Sequence, residues 1–228
     1  MKTPDMKYTL RVLARLLGYP DASLRAQLPD LRAALHDEAA LSRTRLAELD
    51  ALIRSIGAAG AFDAEETYVE LFDRGRATSL HLFEHVHGDS RERGPAMIDL
   101  GQTFEQGGLV LTANELPDYL PAVLEFASTR PSAEARAFLG ETSHILNAIF
   151  AALAARDSLY AAVFNAVIEL AGDKVQPVKL PPETPLDEAW LEPEPFGGCS
   201  SAGQSRPEQP QPLHFVRKTE THLTGVAS

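Results

Sequence analysis

The sequence predicts an all-α fold: a single helical-bundle domain of about nine or ten helices, followed by a disordered C-terminal tail. Three observations predict it. Apolar residues recur at helical spacing through residues 1–172. Alternating β-branched runs and Asn-Gly hairpin turns are absent. Nine of the 16 prolines fall in residues 173–228, a segment too poor in aliphatic residues to bury a core.

The first predicted helix carries an apolar stripe of Leu10, Leu13 and Leu17, and it ends at Gly18 and Pro20. Further helix starts are predicted at the capping residues Asp21, Asp30 and Ser42, at the Asp63 and Glu66 pair, and at Ser132 and Ser158. Further helix ends are predicted at Gly57, Gly88, Gly140 and Gly172. Segments 141–155 and 158–171 are apolar almost all round, which predicts that they form the buried centre.

Composition and charge narrow the class of protein. The net charge is −11, which disfavours a nucleic-acid or anionic-membrane surface and favours basic partners. The single cysteine, Cys199, excludes an intramolecular disulfide framework and a CxxC metal site. No run reaches the ~18 apolar residues of a membrane span, and Asp5, Arg11 and Arg15 interrupt any secretory signal. We therefore expect a soluble cytoplasmic protein.

Residues 68–101 form the segment with the densest mixture of aromatic and charged residues. Tyr68, Leu71 and Phe72 share one helical face, and residues 73–76 break that helix with a charged turn. A second helix is predicted from about Ala77. A binding groove is predicted between the two helices, and its apolar lining is Tyr68, Leu71, Phe72 and Phe83. Its acidic border is Glu70, Asp73 and Asp118. The other predicted site residues are Arg74 and Arg76 in the turn and Tyr119 beside Asp118. The alternative for this charge run is a solvated face with exposed ion pairs.

Residues 81–85 spell His-x-x-Glu-His, the order of the inverted zinc-protease motif. In that motif two histidines bind zinc and the glutamate activates water, so His81, Glu84 and His85 make a small zinc hydrolase an alternative function. A third ligand is not marked, although Glu141 and Glu169 are available. The alternative interpretation is that these histidines form local hydrogen bonds or line a groove.

Two other segments carry distinct patterns. Residues 115–126 predict a helix start, with Pro117 in the first turn and Asp118 as a candidate cap. In the tail, segment 186–192 presents Trp190 in acidic surroundings, which suits a docking segment, either for its own domain or for another basic surface. A generic helical adaptor acting through this acidic tail is therefore a further alternative.

Apart from the His-x-x-Glu-His order at residues 81–85, the sequence contains none of the common catalytic or nucleotide-binding motifs: there is no GxGxxG, no P-loop and no GxSxG elbow. The pattern thus favours a binding protein over an enzyme, and predicts no stably bound cofactor.

Segment 68–101 resembles the signature of the NarJ-type chaperones, which assemble respiratory nitrate reductase. Residues 115–121 resemble a second motif of the wider molybdoenzyme maturation chaperones, and residues 16–21, 186–190 and 197–199 are also similar. One departure is Tyr119, which stands where many relatives carry histidine, so that titration near neutral pH is lost at this position.

The resemblance implies an all-helical chaperone without enzymatic activity. Its partner would be the apo form of the nitrate reductase catalytic (alpha) subunit, including an N-terminal leader-like segment. The chaperone would keep that subunit competent for molybdenum cofactor insertion and prevent premature docking on the membrane anchor. Proteins that deliver the molybdenum cofactor would be further partners.

Overall fold

In the computed structural model, residues 5–87, 90–112 and 115–178 are described. They form ten α-helices: α1 (Lys7–Leu16), α2 (Ala22–Glu38), α3 (Arg43–Ala58), α4 (Ala61–Tyr68), α5 (Leu82–Val86), α6 (Arg93–Gln106), α7 (Leu120–Ser128), α8 (Ser132–Glu141), α9 (Ser143–Ala154) and α10 (Ala161–Ala171). Over these ranges the chain has no β-strand, only an isolated antiparallel bridge between His81 and Tyr119. The all-α prediction and its number of helices are confirmed.

Helix α10 lies at the centre of the bundle. It packs against α1, α3, α8 and α9, and its apolar side chains exclude solvent almost completely. Helix α1 packs against α2, α7 and α10 through Leu13 and Leu16. Because α9 and α10 have few polar residues on any face, only the middle of the bundle accommodates them. The prediction that segments 141–155 and 158–171 form the buried centre is thus confirmed.

Several predicted helix ends are confirmed by their hydrogen bonds. The Asp21 carboxylate accepts a hydrogen bond from the Leu24 amide at 2.7 Å and begins α2. The Ser42 hydroxyl accepts one from the Arg45 amide at 3.4 Å and begins α3. Gly172 ends α10 with φ of +87°, a left-handed conformation that favours glycine.

Other predicted boundaries were wrong. Helix α2 continues through Pro29 and Asp30, because its buried leucines pack against α1 and α3 on both sides of the proline. Helix α4 begins at Ala61, so Asp63 lies in the first turn rather than at the cap. Pro131 and Tyr160 occupy the cap positions predicted for Ser132 and Ser158, and α3 and α8 extend one residue past Gly57 and Gly140.

Among the described residues, no single helix is long and apolar enough to cross a membrane. Helices α8 and α9 together reach the required length, with a bend of 67° between them.

The described residues belong to one compact unit, and the boundary predicted at residue 172 stays a prediction. Residues 173–178 of the predicted disordered tail are described: the Gln176 amide donates to the Asn147 side chain at 2.7 Å, and the Asp173 carboxylate accepts from the Ser143 hydroxyl. The rest of the tail, its docking segment 186–192, Cys199 and the helix end at Gly88 lie outside the described residues.

Candidate functional site

The charged turn after α4 begins with a change of helical geometry. Residues Val69–Asp73 form a π-helical turn, in which the Arg74 amide donates to the Val69 carbonyl at 3.1 Å. The Thr78 hydroxyl then donates to the Leu71 carbonyl and ties the next turn back to this one. Such π-turns are frequent at functional sites because they widen a helix locally.

Gly75 allows the chain to close this turn. A Cβ atom at Gly75 would lie 2.4 Å from the Thr78 hydroxyl oxygen and 2.9 Å from the Leu71 carbonyl oxygen. A side chain at this position therefore requires the two segments to separate. The predicted break at residues 73–76 is confirmed, with glycine needed for close approach of the backbone.

The two sequence motifs meet through their backbones. The Leu82 amide donates to the Asp118 carbonyl at 3.0 Å, and the Leu120 amide donates to the Leu80 carbonyl at 2.9 Å. These bonds surround the bridge between His81 and Tyr119. Residues Arg76–Thr78 form a short 3₁₀ turn, and the second helix, predicted from Ala77, starts only at Leu82, because Leu80 and His81 pair with the other motif.

Asp118 is completely buried, which corrects its predicted place at the border of an open groove. Its Oδ1 accepts a hydrogen bond from His81 Nδ1 at 3.1 Å, and its Oδ2 accepts one from the Phe83 amide at 3.2 Å. Arg93 Nη2 lies 3.9 Å from Oδ2. The carboxylate does not cap α7, which begins with Tyr119 in the cap position. The hydrogen bond to Asp118 raises the pKa of His81, although partial burial of the ring opposes the shift.

Tyr68 and Phe72 are also buried, and neither lines the open groove described below, which corrects their predicted place in its walls. The Phe72 ring lies 4.9 Å from Tyr68 and 5.1 Å from Tyr160 between ring centroids, and Tyr19 meets the edge of Tyr68 at 5.6 Å. The Tyr68 hydroxyl donates to the Leu17 carbonyl at 2.7 Å. Burial raises the pKa of Tyr68. These rings join α4 to the end of α1 and the start of α10, which is a packing role that helical periodicity alone does not distinguish from a binding role.

The remaining predicted site residues reach the surface. Glu70, Asp73, Arg74 and Arg76 are exposed, whereas Phe83 and Tyr119 are half-buried. Burial raises the pKa of Tyr119, and the negative charges of Asp73 and Glu115 add to the shift. Asp73 and Tyr119, drawn from the two motifs, therefore lie on one acidic surface.

Two residues extend this surface beyond the prediction. Tyr19 is 44% exposed, and its pKa is raised by desolvation, by a hydrogen bond to Glu65 and by the charge of Asp73. We call Tyr19, Glu65, Asp73 and Tyr119 the acidic aromatic face. Residues 16–21 were part of the family resemblance, but no local pattern places Tyr19 and Glu65 at this site, because Tyr19 reaches it by packing on Tyr68 and Glu65 by its hydrogen bond with Tyr19.

An open groove of about 360 Å³ lies between α3, α4 and the turn before α10. Leu71 lines it, as predicted for a groove residue, together with Tyr160 from the aromatic cluster. The other lining residues are Leu52, Ser55, Ile56, Ala59, Ala64, Thr67, Arg156, Asp157, Ser158 and Leu159. Sequence patterns do not predict this set of lining residues, because the residues come from three separate segments of the chain.

The zinc-hydrolase alternative finds no support at this site. His85 Nε2 donates to the Ser79 carbonyl at 2.9 Å, which occupies one of the two histidines of the motif. Glu169, one proposed third ligand, accepts hydrogen bonds from the Ser42 amide and hydroxyl. Within the described part of the chain, no three His, Cys, Asp or Glu side chains are grouped to hold a metal ion.

The fold and the site together define an all-helical protein in which two sequence motifs build one surface. A family model described as the nitrate reductase delta subunit matches residues 20–166, and the chain belongs to this family. The resemblance found in the sequence is thereby confirmed.

Named relatives agree with this assignment. The chain is 42% identical to the "Nitrate reductase molybdenum cofactor assembly chaperone NarJ" of Escherichia coli (strain K12) over 171 residues, covering 75% of this chain and 72% of that protein. It is 32% identical to the "Probable nitrate reductase molybdenum cofactor assembly chaperone NarJ" of Bacillus subtilis (strain 168), covering 74% and 90%.

A solved structure supports the fold. The crystal structure of a proposed redox enzyme maturation protein from Archaeoglobus fulgidus superposes with a TM-score of 0.51 at 17% identity, covering 74% of this chain and 94% of that one.

Proposed function

We propose that this chain is a system-specific chaperone for respiratory nitrate reductase. It binds the apo catalytic subunit in the cytoplasm, including an N-terminal leader-like segment, and releases it after molybdenum cofactor insertion and before membrane docking. It has no enzymatic activity of its own and binds no cofactor stably, and cofactor delivery proteins are its further partners. The observation that carries the proposal is the meeting of the two family motifs at one acidic, partly apolar surface.

The charges of this surface suit a basic client segment. Glu70 and Asp73 are exposed on the π-turn, and Asp73 acts electrostatically on both Tyr19 and Tyr119. With a net charge of −11 on the whole chain, association with a basic segment is accelerated by long-range attraction. This contribution weakens as salt is added, because the Debye length falls to about 8 Å at physiological ionic strength.

Apolar contacts suit the part of the client that follows its basic residues. Phe83 and Tyr119 offer half-buried aromatic rings, and Leu71 opens onto the groove. Apolar anchors mainly set the dissociation rate, whereas exposed charges mainly set the association rate. The two groups of residues are therefore expected to have separable kinetic effects.

The test is stopped-flow binding of a synthetic peptide with the N-terminal sequence of the catalytic subunit to the full chain. Wild type is expected to bind, and Asp73→Asn is expected to lower the association rate about threefold at low salt with little change in dissociation. The matched control is Asp37→Asn, which removes the same charge from an exposed position at the end of α2.

A folded wild-type chain that binds neither the peptide nor the apo catalytic subunit from molybdate-starved cells would contradict the proposal. If Asp73→Asn and Asp37→Asn lowered the association rate equally, the net charge of the protein alone would explain the effect, and Asp73 would not belong to the binding site.

A further inference from the structure

Asp118 is the only fully buried acidic side chain in the described residues, and its contacts all lead to the surface proposed for the client. One carboxylate oxygen binds the ring of His81, and the other accepts the backbone amide of Phe83. Its own backbone carbonyl accepts the Leu82 amide. Because a client cannot reach a side chain with 0% exposure, a direct binding role for Asp118 is excluded by its position.

The two half-buried aromatic residues of the surface depend on this carboxylate. Tyr119 follows Asp118 directly, and its ring lies 5.3 Å from the His81 ring that Asp118 orients. Phe83 is held through its amide at the first turn of α5. A shift of the carboxylate therefore moves both rings at once, although Phe83 and Tyr119 lie more than thirty positions apart in the chain.

We propose that Asp118 is a positioning residue, which holds Phe83 and Tyr119 in the orientation that retains the client without contacting the client itself. The inference rests on the proposed function, since it assigns the way in which that surface is kept in shape. It differs from the sequence-based expectation, in which Asp118 bordered the groove and met the client directly.

The chemistry of the site requires a carboxylate rather than an amide. Both oxygens act as acceptors here, one for His81 Nδ1 and one for the Phe83 amide, with the Arg93 guanidinium nearby. Asparagine has only one acceptor oxygen, and its NH₂ group would face a second donor. Asp118→Asn therefore keeps the volume of the side chain but loses the charge-assisted contact with a protonated His81 ring, and only a neutral ring whose Nδ1 accepts from the NH₂ group keeps both contacts.

The experiment measures dissociation of the same client peptide from the full chain, together with the pH titration of the His81 ring by NMR. Asp118→Asn is expected to release the peptide about tenfold faster with an unchanged association rate. The pKa of His81 is expected to fall toward its ordinary value in this variant. Asp37→Asn serves as the matched control, because it removes an exposed carboxylate at the end of α2 and is expected to leave both peptide release and the His81 titration as in wild type.

A second variant covers the case in which Asp118→Asn does not fold. His81→Phe keeps an aromatic ring against Tyr119 but removes the hydrogen bond to Asp118, so peptide release is expected to be several-fold faster. Release at the wild-type rate from either folded variant would overturn the inference. Absence of peptide binding by wild type would instead overturn the proposed function, and the positioning role with it.

Discussion

Phe72→Ala separates a packing role from a binding role at the π-turn. The Phe72 side chain is 6% exposed and contacts the rings of Tyr68 and Tyr160. Replacing a buried phenylalanine by alanine costs about 3–5 kcal/mol, through lost transfer free energy and the cavity left behind. Against a total stability of about 5–15 kcal/mol for a typical domain, this variant loses a large fraction of its stability while keeping its fold at low temperature.

Urea unfolding followed by far-UV circular dichroism measures the effect. The midpoint is expected to fall with an unchanged slope, because the surface exposed on unfolding stays the same. The matched control is Phe62→Ala on helix α4, which precedes the π-turn; its ring is 74% exposed and the loss is expected to be within about 0.5 kcal/mol. A Phe72→Ala variant that loses less than about 1 kcal/mol but releases the client peptide faster would refute the core assignment and return Phe72 to the binding surface.

Three further predictions concern the same region and its supports. The hydrogen bond from His81 Nδ1 to the Asp118 carboxylate raises the pKa of His81, so this pair stabilises the fold fully below about pH 6.5, and the contribution is lost as pH rises through the raised pKa. Urea unfolding between pH 5.5 and 8.5 should show this slope in wild type and a flatter one in Asp118→Asn, and equal slopes would contradict it. Gly75→Ala should lower the free energy of unfolding by about 1–3 kcal/mol. Its control is Gly94→Ala in α6, where a Cβ atom meets open space, and thermal unfolding should show this variant to be neutral or stabilised. Similar effects of the two substitutions would contradict the close approach of the backbone at Gly75. Asp21→Ala should cost about 0.5–2 kcal/mol by losing the α2 cap, and an unchanged unfolding midpoint would show that the cap contributes nothing.

The helices were predictable because helical periodicity is a local property of the sequence. The stripe of Leu10, Leu13 and Leu17 and the apolar segments near the end of the domain identify their elements without reference to the rest of the chain. The incorrect predictions also have a physical cause. Asp30 follows a proline and has the residue type of a cap, but α2 passes through it because burial of leucines on both sides outweighs the local signal.

The candidate site was only partly predictable. Tyr68, Leu71 and Phe72 share one helical face, so the sequence pattern predicts the same groove-lining role for all three. In the structure their surroundings differ. Tyr19 packs on Tyr68 and Tyr160 packs on Phe72, whereas Leu71 lines the groove. Which side of a helical face is covered depends on partners from distant segments, and no local pattern specifies them.

By itself, the sequence determined that this chain is helical, where its most buried helices lie, and which family it resembles through two motifs. Only the tertiary structure decided that the two motifs form one surface, that Asp118 supports this surface from within, and that Tyr19 and Glu65 belong to it. The physical reason is the range of the interactions. Helix formation and patterning act over a few residues, whereas the bond between His81 and Asp118 joins side chains that are neighbours only after the bundle has packed.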